Sequence, residues 1–177
     1  MSNRLNALTV DVEDYFHVAA FSGSIAPHEW EQWESRIEQN TDILIELFHR
    51  FGAKATFFVL GWVAERHPAL VRRIAEHGHE VASHGYSHQM VYNQTPEVFR
   101  EETRRCKRLL EDIIQRPVLG YRAATYSITE KSLWAMEILI DLGFRWDSSI
   151  FPVKHDLYGL PGSPVHPHVW QSSQRRR

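Results

Sequence analysis

The sequence predicts an α/β fold whose parallel sheet closes toward a barrel, and three observations carry that expectation. Strand-like and helical segments alternate in the order βαβαβαβαβ, which requires crossover connections and parallel pairing. The polar residues Asp11, His84, Arg122 and Asp147 all fall at or just past the carboxyl ends of strands, where parallel α/β folds gather their chemistry. No glycine-rich phosphate loop follows the first strand, which weighs against an open nucleotide-binding sheet and favours the barrel.

Each element has its own signal. Residues 6–12 form the first strand and run into the acidic cluster Asp11-Val12-Glu13-Asp14. A helix over residues 42–51 has Asn40 or Thr41 as cap, Gly52 as stop, and Ile43, Leu44, Leu47, Phe48 and Phe51 as its apolar stripe. Residues 54–60, containing Ala-Thr-Phe-Phe-Val-Leu, have the apolar character of a buried strand. The next helix, interrupted by Pro68, buries Val63, Leu70, Val71 and Ile74 and ends at Gly78. Residues 80–83 are a short strand leading into His84-Gly85-Tyr86-Ser87-His88. Thr95-Pro96-Glu97 supplies a cap, a first-turn proline and an acid at the positive end of a helix to about Gln115, with Phe99, Cys106, Leu110 and Ile113 inside. Residues 118–124 are the fourth strand. Thr129-Glu130 opens a helix with Leu133, Trp134, Ile138, Leu139 and Leu142 apolar, stopped by Gly143, and residues 144–149 are the fifth strand.

Beyond Phe151 the pattern dissolves into prolines and glycines. Residues 1–160 therefore form one incomplete barrel domain and 161–177 an irregular, Pro-rich and basic tail, because a complete barrel takes about eight strands and ~250 residues. The chain has 177 residues, of which 43% are hydrophobic, 12% aromatic and 24% charged. That is enough apolar material for a sizeable core and excludes disorder, collagen and coiled coil. With 20 Lys and Arg against 22 Asp and Glu, and its one basic run at Arg175 to Arg177, the chain offers no positive face for nucleic acid. The longest apolar runs fall short of the ~20 residues of a membrane span. The start, Met-Ser-Asn-Arg-Leu-Asn, lacks the pattern of a secretory signal, so cytoplasmic residence is the expectation. The single cysteine, Cys106, excludes an internal disulfide and a cysteine-based zinc finger, and its helical context places it in the core.

The spacing of His84 and His88 puts two imidazoles on one face of a helical turn, close enough to share a cation. Asp11 and Glu13, two apart on a strand, point to the same side, so one can bind metal while the other stays free as a base. Asp14 competes with Glu13 as the ligand. Read blandly, the histidines are surface residues of a polar loop and the acids cap the next helix.

Five motifs occur in order: Thr9-Val10-Asp11-Val12-Glu13-Asp14, Ala55-Thr56-Phe57-Phe58-Val59, Ser83-His84-Gly85-Tyr86-Ser87-His88, Gly120-Tyr121-Arg122-Ala123 and Trp146-Asp147-Ser148-Ser149. Together they resemble the NodB-like polysaccharide deacetylases, carbohydrate esterase family four, from about Leu8 to Gly159. The Asp-Val-Glu-Asp-Tyr-Phe opening and His155-Asp156-Leu157-Tyr158-Gly159 look most like the subgroup associated with exosortase and exopolysaccharide loci. The resemblance implies a distorted (β/α) barrel of the NodB-homology type, with about five strand-helix units present and the final strands missing. It also implies a divalent metal, Zn2+ foremost with Co2+ or Ni2+ as alternatives, and an N-acetylhexosamine-containing polysaccharide or oligosaccharide as substrate.

Carried over by position, Asp11 matches the catalytic base and His84 and His88 the histidine ligands. Val12 stands where the common motif has a second aspartate, which moves the carboxylate ligand to Glu13 or Asp14, with Glu13 preferred. Arg122 matches the arginine that orients the base, and Asp147 an aspartate that supports the site. Ala124 replaces a proline of the pattern. In the implied hydrolysis Asp11 takes a proton from attacking water, and the oxyanion is stabilised by the metal and a backbone N–H near Tyr126. No late Leu-x-His motif supplies a general acid; His166 and His168 sit in the tail. The rivals are hydrolysis of another C–N bond, as in the allantoinase-like branch, and a truncated, non-catalytic barrel that binds or assembles.

Overall fold

A computed structural model of the protein describes residues 6–171. The first five residues and the basic run Arg175 to Arg177, and with them the expectations drawn from the chain's start and its basic end, lie outside the described residues. Five strands, β1 (Thr9–Val12), β2 (Thr56–Val59), β3 (Glu80–Ser83), β4 (Gly120–Tyr121) and β5 (Trp146–Asp147), form one sheet in chain order, and every neighbouring pair is parallel. The five-strand parallel α/β arrangement is the one the alternation predicts. The strands are shorter than the apolar runs that contain them, most of all β4 and β5, which keep two residues each.

The connecting helices are α1 (Ile37–Arg50), α2 (Gly61–Arg66), α3 (Pro68–Glu76), α4 (Pro96–Ile114) and α5 (Trp134–Asp141). Pro68 splits the second helical region in two, since its ring cannot continue α2 and instead opens α3. The Thr95 side chain caps α4 by accepting from the Val98 N–H, as its sequence position predicts. Arg100, Arg104, Arg105 and Lys107 on α4 pair with Asp141, Glu101, Glu65 and Glu111.

Helix α1 corrects the sequence reading in two ways. It begins five residues earlier than expected, so Asn40 and Thr41 lie inside it and cap nothing. Its buried residues are Ile37, Thr41 and Ile45; of the expected stripe Phe48 packs on the main core beside Phe57, whereas Ile43, Leu47 and Phe51 are exposed at 59%, 45% and 72%. Two apolar stripes at helical spacing coexist on this helix, and the earlier start selects the one that meets the sheet.

Alternation along each strand sorts side chains into two layers. Val12, Phe57, Val59 and Val81 face the helices and join Leu70, Ile74, Phe99, Cys106 and Leu110 in the main core. The opposite face carries, in register, Asp11 beside Phe58, Phe58 beside Ala82, and Gly120 beside Trp146. Small residues at 82 and 120 leave room for Trp146 to pack edge-on against the fully buried Phe58, with ring centroids 5.6 Å apart. A second, smaller cluster of Phe16, Ile25 and Trp30 fills the segment between β1 and α1. Residues 161–171 contain no helix or strand, and Trp170 packs on the main core.

Candidate metal centre and catalytic site

The register aligns the last residues of the strands: Val12 with Val59, Val59 with Ser83, Ser83 with Tyr121, and Tyr121 with Asp147. Glu13, His84, Arg122 and Ser148 each follow one of these residues, so consecutive strand ends bring them together although 135 positions of sequence separate the first from the last.

His84 leaves β3 with its N–H donated to the Val59 carbonyl at 3.0 Å. Its Nδ1 lies 2.8 Å from the Arg122 carbonyl. A carbonyl only accepts, so Nδ1 carries the proton and the lone pair of Nε2 is left for the site. His84 is 1% exposed, and burial pushes its pKa down, which keeps the ring neutral.

The segment from Gly85 to His88 is a loop, so the two histidines do not share a helical face as their spacing suggested. They converge because the loop is pinned and turned. The N–H groups of Gly61 and Trp62, at the start of α2, donate to the carbonyls of Gly85 and Tyr86 at 2.8 and 3.1 Å. A Cβ on Gly61 would stand 2.4 Å from the Tyr86 ring, so only glycine permits that approach. His88 itself is left-handed, at φ 54°. The imidazole centroids of His84 and His88 end 5.5 Å apart.

Glu13 completes the group. Its Oε2 is 2.7 Å from His88 Nε2 and 4.0 Å from His84 Nε2, and one ligand atom from each of the three residues lies within 4.8 Å of the others. Burial alone would raise the Glu13 carboxyl. The hydrogen bond with His88 outweighs it and holds the carboxyl below its usual range. His84 Nε2 is buried without a hydrogen-bond partner, and the buried Glu13 Oε2 meets the two imidazoles. Buried polar atoms normally have partners. An unpartnered imidazole nitrogen converging with a buried carboxylate oxygen and a second imidazole fits a divalent cation with an open position.

Asp14, the rival ligand, is turned away. Its carboxylate accepts from Ser35 Oγ at 2.6 Å and from the Arg36 N–H at 3.1 and 3.2 Å, which places a negative charge at the start of α1. The reason is the strand pleat: successive side chains leave opposite faces, so Glu13 shares the Asp11 side and Asp14 does not.

Asp11 stands beside this group. Arg122 Nη1 donates to its Oδ1 at 2.7 Å, while its Oδ2 faces the cluster, 4.0 Å from His84 Nε2. The guanidinium is held on every side. Nη1 also reaches Thr9 Oγ1, Nε the Ser148 carbonyl and Nη2 Ser148 Oγ, and its plane lies 3.9 Å over Phe58. Asp147 touches neither Asp11 nor the cluster in any recorded hydrogen bond or ion pair. It accepts from the Ser149 N–H at 2.9 Å and from Ser149 Oγ at 2.5 Å, and Ser149 Oγ in turn accepts from the Ala123 N–H at 2.8 Å. Asp147 thus ties together the backbone at Ala123 and Ser149, on both sides of the Arg122 grip. Burial pushes its pKa up to about 6 against the opposing Ser149 bonds and the Arg122 charge.

An oxyanion donor was expected among the backbone N–H groups near Tyr126; the N–H of Tyr126 itself is already given to the Ala123 carbonyl at 3.1 Å. His166 and His168 are exposed in the tail. Trp30 is buried against His17 and Trp62, whereas Trp33 is 44% exposed. Sequence reasoning assigned nothing to His17, Thr9, Ser148 and Ser149. The two serines lie within the Trp146-Asp147-Ser148-Ser149 motif, which was a signal for them; His17 had none.

The fold and the cluster define a parallel α/β protein with a carboxylate and two-histidine metal-binding geometry beside an arginine-held aspartate. The family model described as polysaccharide deacetylase matches residues 29–145, well over half of the chain, and the chain belongs to that family. It is 29% identical over 79 residues to a peptidoglycan-N-acetylglucosamine deacetylase of Bacillus cereus, covering 45% of this chain and 37% of that protein. It is 26% identical over 133 residues to a peptidoglycan deacetylase of Helicobacter pylori, covering 75% and 44%. A Mycobacterium smegmatis crystal structure described as a polysaccharide deacetylase superposes with a TM-score of 0.67 at 29% identity, over 81% of this chain and 50% of that one. The family 4 carbohydrate esterase of Streptomyces lividans, solved with acetate, shares the fold at a TM-score of 0.60 and 20% identity, over 81% and 62%. The chain spans about half the length or less of the curated relatives it matches.

Proposed function

We propose that the protein hydrolyses N-acetyl groups of an N-acetylhexosamine-containing glycan, with Glu13, His84 and His88 holding a divalent cation and Asp11 as base. The observation that carries the reading is the division of labour between two carboxylates on one strand. Glu13 Oε2 is buried against the two imidazoles and His84 Nε2 is buried without a partner, while Asp11 offers one oxygen to Arg122 and keeps the other toward the same point. A bound cation there supplies Lewis-acid polarisation of the amide carbonyl and acidification of water.

The chain's own residues do the rest. Arg122 fixes the orientation of Asp11 through a charge-assisted bond. Asp11 Oδ2 accepts the proton of the attacking water. When the tetrahedral adduct collapses, Asp11 returns that proton to the departing amine, releasing acetate and a free hexosamine amine. This single-carboxylate relay requires no tail histidine. The names of the curated relatives support an N-acetylglucosamine polymer as the substrate class. The Asp-Val-Glu-Asp-Tyr-Phe and His155 to Gly159 motifs support an exported polysaccharide as the particular one.

The test is acetate release from N-acetylated chitooligosaccharides by the Zn2+- or Co2+-loaded protein, with ring opening of a cyclic ureide as the competing reaction. Acetate release that disappears in Glu13→Gln and Asp11→Asn supports the reading. Tight glycan binding with no acetate release at any metal loading would instead identify a binding or assembly module.

A further inference from the structure

The segment between β1 and α1 contains a histidine that the chemistry above leaves unused. His17 lies four residues after Glu13 and is 4% exposed. Its Nδ1 accepts the backbone N–H of Asp14 at 2.8 Å, and its own backbone N–H donates to the Asp14 carbonyl at 3.0 Å. An amide N–H only donates, so Nδ1 is unprotonated and the neutral ring carries its proton on Nε2. That Nε2 is buried with no hydrogen-bond acceptor. Around it stand Trp30, Trp62 and Phe16, with ring centroids 4.5, 4.9 and 4.5 Å from the imidazole and all three edge-on. The aromatic cage makes a cationic ring costly: burial, assisted by the charges of His88 and Arg66 against that of Glu13, pushes the His17 pKa down to about 3.

The amide that His17 captures belongs to the peptide joining Glu13 to Asp14. On its far side, the Asp14 carboxylate is fastened to Ser35 and to the Arg36 N–H at the start of α1. On its near side, the Glu13 carboxylate meets His88. The peptide between them lies beyond the last residue of β1, so no ladder hydrogen bond orients it. We infer that His17 is a positioning residue for the metal centre: as a neutral acceptor it fixes the Glu13–Asp14 peptide and thereby holds the Glu13 carboxylate against His84 and His88.

The inference rests on the metal-centre reading above, and its test separates the two. Co2+ binding is followed by its visible absorption, Zn2+ by competition, and the metal-free proteins by thermal unfolding, for the parent chain, His17→Leu and His17→Asn. Leucine keeps apolar bulk and removes the acceptor; asparagine keeps an acceptor oxygen near the Nδ1 position. Supporting metal-ligand groups typically contribute about 10- to 100-fold to affinity. His17→Leu is expected to lose Co2+ affinity in that range with an altered absorption band, and His17→Asn to recover most of it. Equal affinity in parent and His17→Leu, or equal loss in both variants, overturns the inference while leaving the metal centre standing. A parent that binds neither ion removes the metal centre and the inference together. In the unaltered protein, the ¹⁵N shifts of His17 at neutral pH are expected to report protonation on Nε2 alone. A cationic or Nδ1-protonated ring overturns the inference even if His17→Leu fails to fold.

Discussion

Arg122 holds Asp11 by one oxygen. Its Nη1 donates to Oδ1 at 2.7 Å and leaves Oδ2 facing the histidine pair, 4.0 Å from His84 Nε2. The same residue touches the candidate metal site through a different group, because its backbone carbonyl accepts a hydrogen bond from His84 Nδ1 at 2.8 Å. Side chain and main chain therefore bear on different parts of the proposed chemistry, and mutation separates them.

Arg122→Ala deletes the guanidinium and keeps the carbonyl. Metal content is expected to survive while turnover falls by about 10²-fold or more, the scale of a misplaced general base. Arg122→Lys is expected to rescue little, since one ammonium cannot reach Asp11, Thr9 and both Ser148 atoms at once. Metal analysis beside acetate release decides the matter; loss of metal in Arg122→Ala would break the assignment of His84 to the backbone carbonyl.

The adjacent acids Glu13 and Asp14 should fail in different assays. Glu13→Gln is expected to weaken Co2+ binding by more than about 100-fold, beyond the usual effect of a supporting group, with little change in the stability of the metal-free protein. Asp14→Ala is expected to keep the metal and lose ~1–2 kcal/mol in urea unfolding, because it removes the acceptor at the start of α1. Saturating Zn2+ should raise the unfolding midpoint of Asp14→Ala and leave that of Glu13→Gln nearly unmoved. The reverse pattern would make Asp14 the ligand.

How far the sequence discloses these roles depends on the range of the determining interaction. The sheet order, the break at Pro68 and the cap at Thr95 follow from local rules of periodicity, proline geometry and side-chain acceptors, all carried within a few residues. Asp11 and Glu13 share a side because a strand alternates, and that too is local. The face of α1 that meets the sheet is not, since Ile43, Leu47 and Phe51 have the same helical spacing as the buried stripe. His88 reaches His84 through a positive φ in a loop pinned by α2, although an i, i+4 spacing suggested a helix. The part played by Asp147 depends on Ser149 and Ala123, residues that meet only once β4 and β5 pair.

Asp147 also gives stability a pH signature. Its pKa is about 6 in the folded protein against 3.8 for the free side chain, so between those values the native state binds more protons than the unfolded one. Stability is therefore expected to fall as pH rises from about 4 to about 6, and to be unaffected by this group outside that window. A difference of about two pKa units caps the effect at ~3 kcal/mol. Asp147→Asn, which cannot ionise, should flatten this portion of the curve in urea titrations at pH 4.5 and 7. An unchanged slope in the variant would mean that Asp147 is ionised across the range.

The floor beneath Arg122 supplies a prediction about packing. A Cβ at Gly120 would fall 2.0 Å from the Trp146 indole, so the glycine is what lets Trp146 lie across β4 and meet Phe58. Phe58 in turn carries the Arg122 guanidinium at 3.9 Å. Gly120→Ala must push the indole outward, and overpacking of this kind costs ~1–3 kcal/mol. The expected result is a lower urea midpoint, a red-shifted tryptophan emission and reduced turnover with metal affinity retained, because Glu13, His84 and His88 do not rest on Trp146. Shortening the indole in a Gly120→Ala/Trp146→Leu double variant should recover part of the stability, a coupling a double-mutant cycle can measure. If Gly120→Ala alone unfolds at the parent's urea concentration, the contact between Gly120 and Trp146 does not constrain the site.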